Sequence, residues 1–239
     1  LRSSPTKVTA FFQLEISRLF LGPLRSPARD KPAHYKNVTS PARLAALHRK
    51  ESTMGHSLKI LGRASSINVR KVLWTCEEAG LEYQQEDYGS GFKPLDTPEF
   101  QRLNPNSLVP VLLDDDFVLW ESNSICRYLA RKAERWDLLP AEPQPAAEVE
   151  HWMDWQATEF NNAWRYVFPA LGRKNPDFND PERIAAGIKE WNHCITILEN
   201  QLQRTGAFAA GETFTLADVV LGLSVNRWKM TPFDKPDVP

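Results

Sequence analysis

The sequence predicts an α/β half followed by an all-helical half, and three observations carry that reading. Short apolar runs of strand length alternate with helix-period segments from Leu58 to about Lys132. Prolines then cluster at 140, 143 and 145, and beyond them only the helical period recurs. The first 53 residues follow neither pattern. A sheet-and-helix layer followed by a purely helical layer implies two domains, expected over 54–136 and 145–239.

Each element has a local cause. Leu58–Gly62 is a short apolar strand ending in glycine, and Asn68–Ala79 carries Val69, Val72, Leu73 and Cys76 at helical spacing. Gly80 suits the position just past a helix end. Glu82–Asp87 reads as a second strand. Thr97-Pro98-Glu99 offers an N-cap, a proline at the first helical position and an acid in the first turn. Val111-Leu-Leu and Phe117-Val-Leu-Trp120 flank the acidic turn Asp114-Asp-Asp116 and predict a hairpin. Ser122 is the expected N-cap of a helix to about Lys132. Pro140–Pro145 is the expected linker, and helices are predicted over about 147–170, 181–204 and 215–228. Thr215-Leu-Ala-Asp218 reads as a capping box, for which a folding role suffices.

Composition excludes several classes. With 42% hydrophobic residues, 8 Trp and 12 Phe, a sizeable core can form, and a net charge of −1 argues against a nucleic-acid binder. Residues 1–53 alone carry ten Lys/Arg against three Asp/Glu, leaving nineteen against twenty-seven for the rest. That segment, with prolines at 5, 23, 27, 32 and 41, is expected to be a disordered or non-native extension or a transit peptide, with Met54 as a natural start. No apolar run reaches membrane-spanning length, so no membrane partner is expected. Cys76, Cys126 and Cys194 lack CxxC spacing, so no metal site is expected, and so sparse a set fits a reducing, cytoplasmic setting. Cys76, on an apolar helix face, reads as a buried structural thiol.

The order β-α-β-α-β-β-α, with Ser66-x-Asn68, Asn104-Pro105, Val109-Pro110, Glu121-Ser122 and Thr215-Leu-Ala-Asp218 at these spacings, resembles the glutathione S-transferases. The resemblance runs from Leu58 to the C-terminal end. Gly62–Lys71 is most similar to bacterial Ser- or Thr-type members. It implies a thioredoxin-like N-terminal domain and a helical C-terminal domain, glutathione as co-substrate, a small apolar electrophile as its partner, a detoxification role and a homodimer. The family usually continues with further helices, so the helical domain is expected to be truncated.

Under that resemblance the site residues take roles. Ser66, between the first strand and helix, is placed to donate a hydrogen bond to a bound thiolate while the helix N-terminus adds positive potential. Both lower a thiol pKa, and the thiolate is the nucleophile. A plain N-cap is the alternative for Ser66. Asn68 is a supporting contact near the sulfur, or a helix-start residue. Val109-Pro110, if cis, would turn backbone groups towards an extended tripeptide. Ser107 stands where glycine is frequent and Leu108 where a lysine often reaches the glycine carboxylate, so that charge contact is missing. Glu121 and Ser122 suit the ammonium and carboxylate of a γ-glutamyl end, the latter at free N–H groups of a helix start. Trp164, Arg165 and Tyr166, within an aromatic stretch that is mostly core, are the candidates facing the electrophile; Asn226-Arg227-Trp228 either borders that pocket or packs.

Three functions compete on this reading. One is transfer of glutathione to a small apolar electrophile. The second is glutathione-dependent disulfide or peroxide reduction, suggested by Ser66-x-Asn68. The third is a non-enzymatic binding domain, because fold alone does not settle function.

Overall fold

The computed structural model describes residues 58–236. The expectation for residues 1–53 falls outside them. The first half contains β1 (Leu58–Leu61), α1 (Ile67–Ala79), β2 (Tyr83–Glu86), α2 (Pro98–Leu103), β3 (Val111–Asp114), β4 (Phe117–Trp120) and α3 (Ser122–Lys132), the order read from the sequence. The sheet runs β2-β1-β3-β4, with β1 parallel to β2 and antiparallel to β3, and β3 antiparallel to β4. This is a thioredoxin-like four-stranded sheet, with α1 and α3 packed together.

The apolar pattern explains the packing. Ile60 and Leu112 from the sheet meet Val69, Val72, Leu73 and Cys76 of α1 and Ile125, Cys126 and Leu129 of α3, all buried. Gly80, at φ +67°, closes α1 with its N–H on the carbonyls of Cys76 and Glu77. Thr97 caps α2 by accepting from the Phe100 N–H, as its sequence indicates.

The helical half holds α4 (Pro143–Trp155), α5 (Asn161–Trp164), α6 (Pro181–Thr205) and α7 (Leu216–Met230). Two expectations change here. Helix α4 begins at Pro143, inside the expected linker, because a proline in the first helical turn forfeits no hydrogen bond. The helix expected over 147–170 is interrupted by wider π-type turns at Gln156–Phe160 and Phe168–Gly172. Pro169 lies in the second, where it has no N–H to continue the ladder. Asp180 caps α6, accepting from the N–H groups of Glu182 and Arg183. The 215–218 box forms: Asp218 accepts from the Thr215 N–H at 2.9 Å and the Thr215 hydroxyl at 3.0 Å. It also takes the Ala209 N–H at 2.9 Å, tying α7 to the preceding loop.

Helix α7 is buried along most of its length and packs on both α1 and α4. One apolar cluster runs from Leu58 to Trp228, so the two halves share a core. Trp74 of α1 against Val219 and Leu223 of α7 adds a second seam. Among the described residues no helix is long and apolar enough to cross a membrane.

Gly62 sets how closely β1, α1 and the loop before β3 approach. It sits at φ +145°, and an added Cβ would lie 2.5 Å from Val69 Cγ2 and 2.9 Å from Val109 Cβ. Gly62→Ala is expected to lower stability by about 2–3 kcal/mol through strain and overpacking. Urea unfolding checks this; an unchanged midpoint would show that the loop at Val109 does not depend on the close approach.

Candidate functional site

The strand register gathers the predicted residues at one end of the sheet. Leu61, the last residue of β1, pairs with Val111, the first of β3, and Val111 pairs with Trp120, the last of β4. Adjacent strands lie about 4.8 Å apart. The turn bearing Ser66 and Asn68, the Val109-Pro110 step and the Glu121-Ser122 turn therefore leave the sheet side by side. Helices α1 and α3 both begin there, so two helix N-termini place partial positive charge at the same edge.

Ser66 is the N-cap residue of α1 by backbone conformation, but its side chain makes no capping bond. The simple capping alternative therefore fails: the hydroxyl is half-buried and uncommitted. Ser66 is held by its backbone, its N–H on the Arg63 carbonyl at 3.0 Å and its carbonyl accepting from Arg70 at 2.9 Å. Arg70 Nε donates to the Ala64 carbonyl at 2.8 Å and braces the same turn. Asn68, the second residue of α1, is half-buried, and Ser65 is exposed.

The loop before β3 is organised by Asn104, a role its sequence does not advertise. Its buried amide donates to the Leu108 carbonyl at 2.8 Å and accepts from the Asn106 N–H at 3.0 Å. The Val109-Pro110 peptide bond is cis, as the resemblance implied. Among the described residues the backbone N–H and C=O of Val109 have no hydrogen-bond partner. Such unpaired groups beside a strand start can receive an extended peptide. Leu108 is exposed and offers no charge.

The Glu121-Ser122 turn carries a correction. The cap of α3 is Glu121, not Ser122: the Glu121 carboxylate accepts from the Asn123 N–H at 3.2 Å, and Ser122 already lies in the helix. Glu121 reaches this geometry at φ +75°, a conformation disfavoured for side chains larger than glycine and one that clusters at functional sites. Ser122 is buried, 2% exposed, beneath it.

Behind this edge lies a polar network that the periodicity did not reveal. Lys71 of α1 is buried, and its ammonium donates to Asn123 Oδ1 at 3.1 Å and Gln156 Oε1 at 2.7 Å. Asn123 Nδ2 donates to the Met153 carbonyl at 2.8 Å, and Gln156 Nε2 to the Ser224 hydroxyl at 2.9 Å. One lysine thus joins α1, the start of α3, the wide turn after α4 and α7. In sequence Lys71 is only a charge interrupting an apolar face, and Ser224 a small polar residue within an apolar run.

No protein thiol serves this site. Cys76, Cys126 and Cys194 are all free and buried. Burial pushes the Cys126 and Cys194 thiols up to about 11 and Cys76 higher still, as expected of structural cysteines.

The helical-half candidates separate. Trp164 is half-buried, with the Arg227 guanidinium 4.2 Å from its ring centroid and Phe168 edge-on at 6.0 Å. Arg165 is exposed. The Tyr166 hydroxyl accepts from the Asp180 N–H at 3.2 Å, and its ring lies 4.0 Å from the Arg183 guanidinium, facing the start of α6. A surface groove near the linker, lined by Pro140, Gln144, Glu148 and Thr213, contains none of the predicted site residues.

Comparison with known proteins gives the family. Residues 56–131 match the model of the glutathione S-transferase N-terminal domain. Over 166 residues the chain is 38% identical to glutathione S-transferase GstB of Escherichia coli K12, covering 69% of this chain and 79% of that protein. It is 35% identical to glutathione S-transferase 3 of Zea mays over 168 residues, 67% of this chain and 73% of that one. Among solved structures, the glutathione-bound theta class enzyme of Xanthomonas axonopodis pv. citri superposes with a TM-score of 0.72. It is 36% identical, and the match covers 77% of this chain and 88% of that chain. The chain belongs to the glutathione S-transferase family and is a glutathione transferase.

Burial pulls the Lys71 ammonium down to about 8; Cys126 and Glu121 oppose that shift and Arg227 adds to it. An unfolded lysine keeps its proton to about pH 10. Between those values the unfolded chain binds more protons, so stability from this group rises with pH. The cost of the buried charge is full below about pH 8 and is relieved towards pH 10. Relative to Lys71→Met, the wild type is expected to gain up to about 3 kcal/mol over that range. Urea unfolding of both proteins at each pH measures it, and a constant difference would show Lys71 to be normally titrating.

Proposed function

We propose that the chain binds glutathione along the end of the sheet, ionises its thiol at Ser66 and transfers it to a small electrophile with an apolar body. The observation that carries this is the set of groups gathered on one strand register: the uncommitted Ser66 hydroxyl and Val109 backbone beside the Glu121-Ser122 turn. In this reading Val109 pairs with the cysteinyl unit in strand fashion, and Pro110 fixes that geometry. Glu121 takes the α-ammonium of the γ-glutamyl end, and Ser122 with the α3 N-terminus takes its carboxylate. The Ser66 hydroxyl donates to the sulfur, with Asn68 beside it. A thiol of pKa about 8.5 is mostly protonated at neutrality, so a hydrogen bond and a helix N-terminus that lower it by two units make thiolate the main form.

The chemistry is a displacement. The thiolate sulfur forms a bond to the electrophilic carbon, the leaving group departs with its electron pair, and the thiol proton passes to solvent. Trp164 and Phe168 supply the apolar bed. The alternative, glutathione-dependent reduction of disulfides or peroxides, would use the same sulfur and likewise needs no protein thiol.

Two variants separate binding from activation. Ser66→Ala is expected to lower kcat by about ten- to a hundredfold, the worth of one charge-assisted hydrogen bond, with glutathione affinity little changed. Glu121→Ala is expected to weaken glutathione binding about tenfold without moving the bound thiol's pKa. Titration calorimetry and thiolate ultraviolet absorbance read the two effects, with conjugation of 1-chloro-2,4-dinitrobenzene set against reduction of hydroxyethyl disulfide. Normal glutathione binding by Glu121→Ala would remove the γ-glutamyl assignment, and faster disulfide reduction would favour the alternative.

We further propose a cytoplasmic homodimer. The edge strand β4 carries Phe117, Val118 and Trp120, three of the seven large apolar side chains exposed among the described residues, which suits burial against a second copy. Trp120→Lys is expected to shift the species seen by light scattering from dimer to monomer; a monomeric wild type would end this reading.

A further inference from the structure

Arg227 of α7 lies against two aromatic rings that touch each other. Its guanidinium carbon lies 4.2 Å from the Trp164 ring centroid and 4.3 Å from that of Phe168. A second guanidinium, Arg173, lies 5.2 Å from the same Phe168 ring. The rings contribute cation–π attraction but accept no N–H hydrogen bond in the guanidinium plane. Among the described residues neither arginine side chain has a carboxylate partner, and the Arg227 side chain donates to no protein acceptor. A half-buried guanidinium with five donors and no protein acceptor leaves those donors to water or to a ligand.

The surroundings increase the positive potential instead of cancelling it. Burial, with Arg173 and Arg70 close by, pulls the Arg227 guanidinium down to about 10. Arg70 also braces the Ser66 turn through the Ala64 carbonyl, and α7, which carries Arg227, packs on the helix that this turn opens. The Arg227 nitrogens are not sealed off from solvent, whereas the neighbouring Trp164 indole N–H is buried and without a partner. The cluster therefore combines an aromatic bed, two cations without counter-ions and one unused donor.

We infer that Arg227, with Arg173, forms a carboxylate-binding subsite that makes aromatic electrophiles bearing an acid group preferred substrates. The inference rests on the transfer reaction proposed above and names the class of its second substrate. The ring of such an electrophile lies on the Trp164–Phe168 bed, its carboxylate takes the guanidinium donors, and its reacting carbon faces the sulfur at Ser66. With 4-chloro-3-nitrobenzoate the thiolate forms a C–S bond at the chlorine-bearing carbon, the C–Cl bond breaks with its electrons leaving on chloride, and the carboxylate is unchanged.

The test pairs that acid with its neutral twin, 4-chloro-3-nitrobenzamide, each kcat/KM divided by the uncatalysed rate with glutathione. The wild type is expected to favour the acid by about tenfold or more, as one charge-assisted pair provides. Arg227→Gln should remove most of that preference, lowering the amide's normalised value much less than the acid's, and should leave glutathione affinity intact. Arg173→Gln, an exposed change that does not threaten folding, should reduce the preference partially, and added salt should weaken it in the wild type. Equal wild-type values for acid and amide, or equal losses of both in Arg227→Gln, would overturn the subsite. Loss of glutathione binding in Arg227→Gln would also overturn it, assigning the guanidinium to the tripeptide. Conjugation of the amide without preference for the acid leaves the transfer reaction standing, whereas conjugation of neither would refute that reaction itself.

Discussion

Everything at the site depends on one rung of the sheet. Leu61, Val111 and Trp120 are register partners, and the three turns proposed to hold glutathione begin one to five residues beyond that rung. A slip of one residue in either pairing would reverse every side chain on the strand concerned, exposing Ile60 or Leu112. The buried face thus protects the register, and the register aligns the turns. Gly62 and Asn104 finish the alignment from either side, one by allowing the loop close and the other by holding its shape.

A second constraint joins the halves. The shared core is apolar almost throughout, and apolar packing alone tolerates small shifts. The Lys71 network has directional bonds to Asn123 and Gln156, with Gln156 bound in turn to Ser224, so it specifies how the helical half sits on α1. A buried charge is weak evidence for stability, and its best-supported use is in fixing register. Here it fixes the start of α3, where Glu121 and Ser122 lie, relative to α7.

Much of the fold was legible because local signals agreed with global ones. Gly80, Thr97-Pro98 and Thr215-x-x-Asp218 each mark a boundary by a mechanism confined to a few residues, and each forms as read. Three of the four strands were legible because their apolar runs were bounded by turn residues; β2, Tyr83–Glu86, is largely polar. The failures have physical reasons. Pro143 and Pro145 looked like a linker because proline usually ends helices, yet the first turn accepts it. The wide turns at 156–160 and 168–172 depend on tertiary packing that periodicity does not report. At the candidate site, Ser66, Val109-Pro110 and Glu121-Ser122 were singled out through the family resemblance, and the strand register brings their turns to one edge. Lys71 and Gln156 were missed because a single buried polar residue has no pattern, and these two partners lie 85 residues apart, whereas Asn104 was noted only as part of a motif and not for the loop it holds.

Helix α7 has a consequence for how such a protein can change. Ser224 belongs to the network behind the start of α3, and Arg227 lies against the Trp164 ring of the bed proposed for the second substrate. They stand three residues apart on one helix face, so a rotation of α7 carries both together. The helix works as a rigid crank between the two halves of the cleft. Substitutions that tilt it to admit a bulkier second substrate also tug on the seat of the first, whereas exchanging side chains on a stationary α7 alters one without the other. Diversification of such a cleft is therefore expected to proceed by swapping the residues α7 presents, with its axis conserved by the lysine buried beneath it.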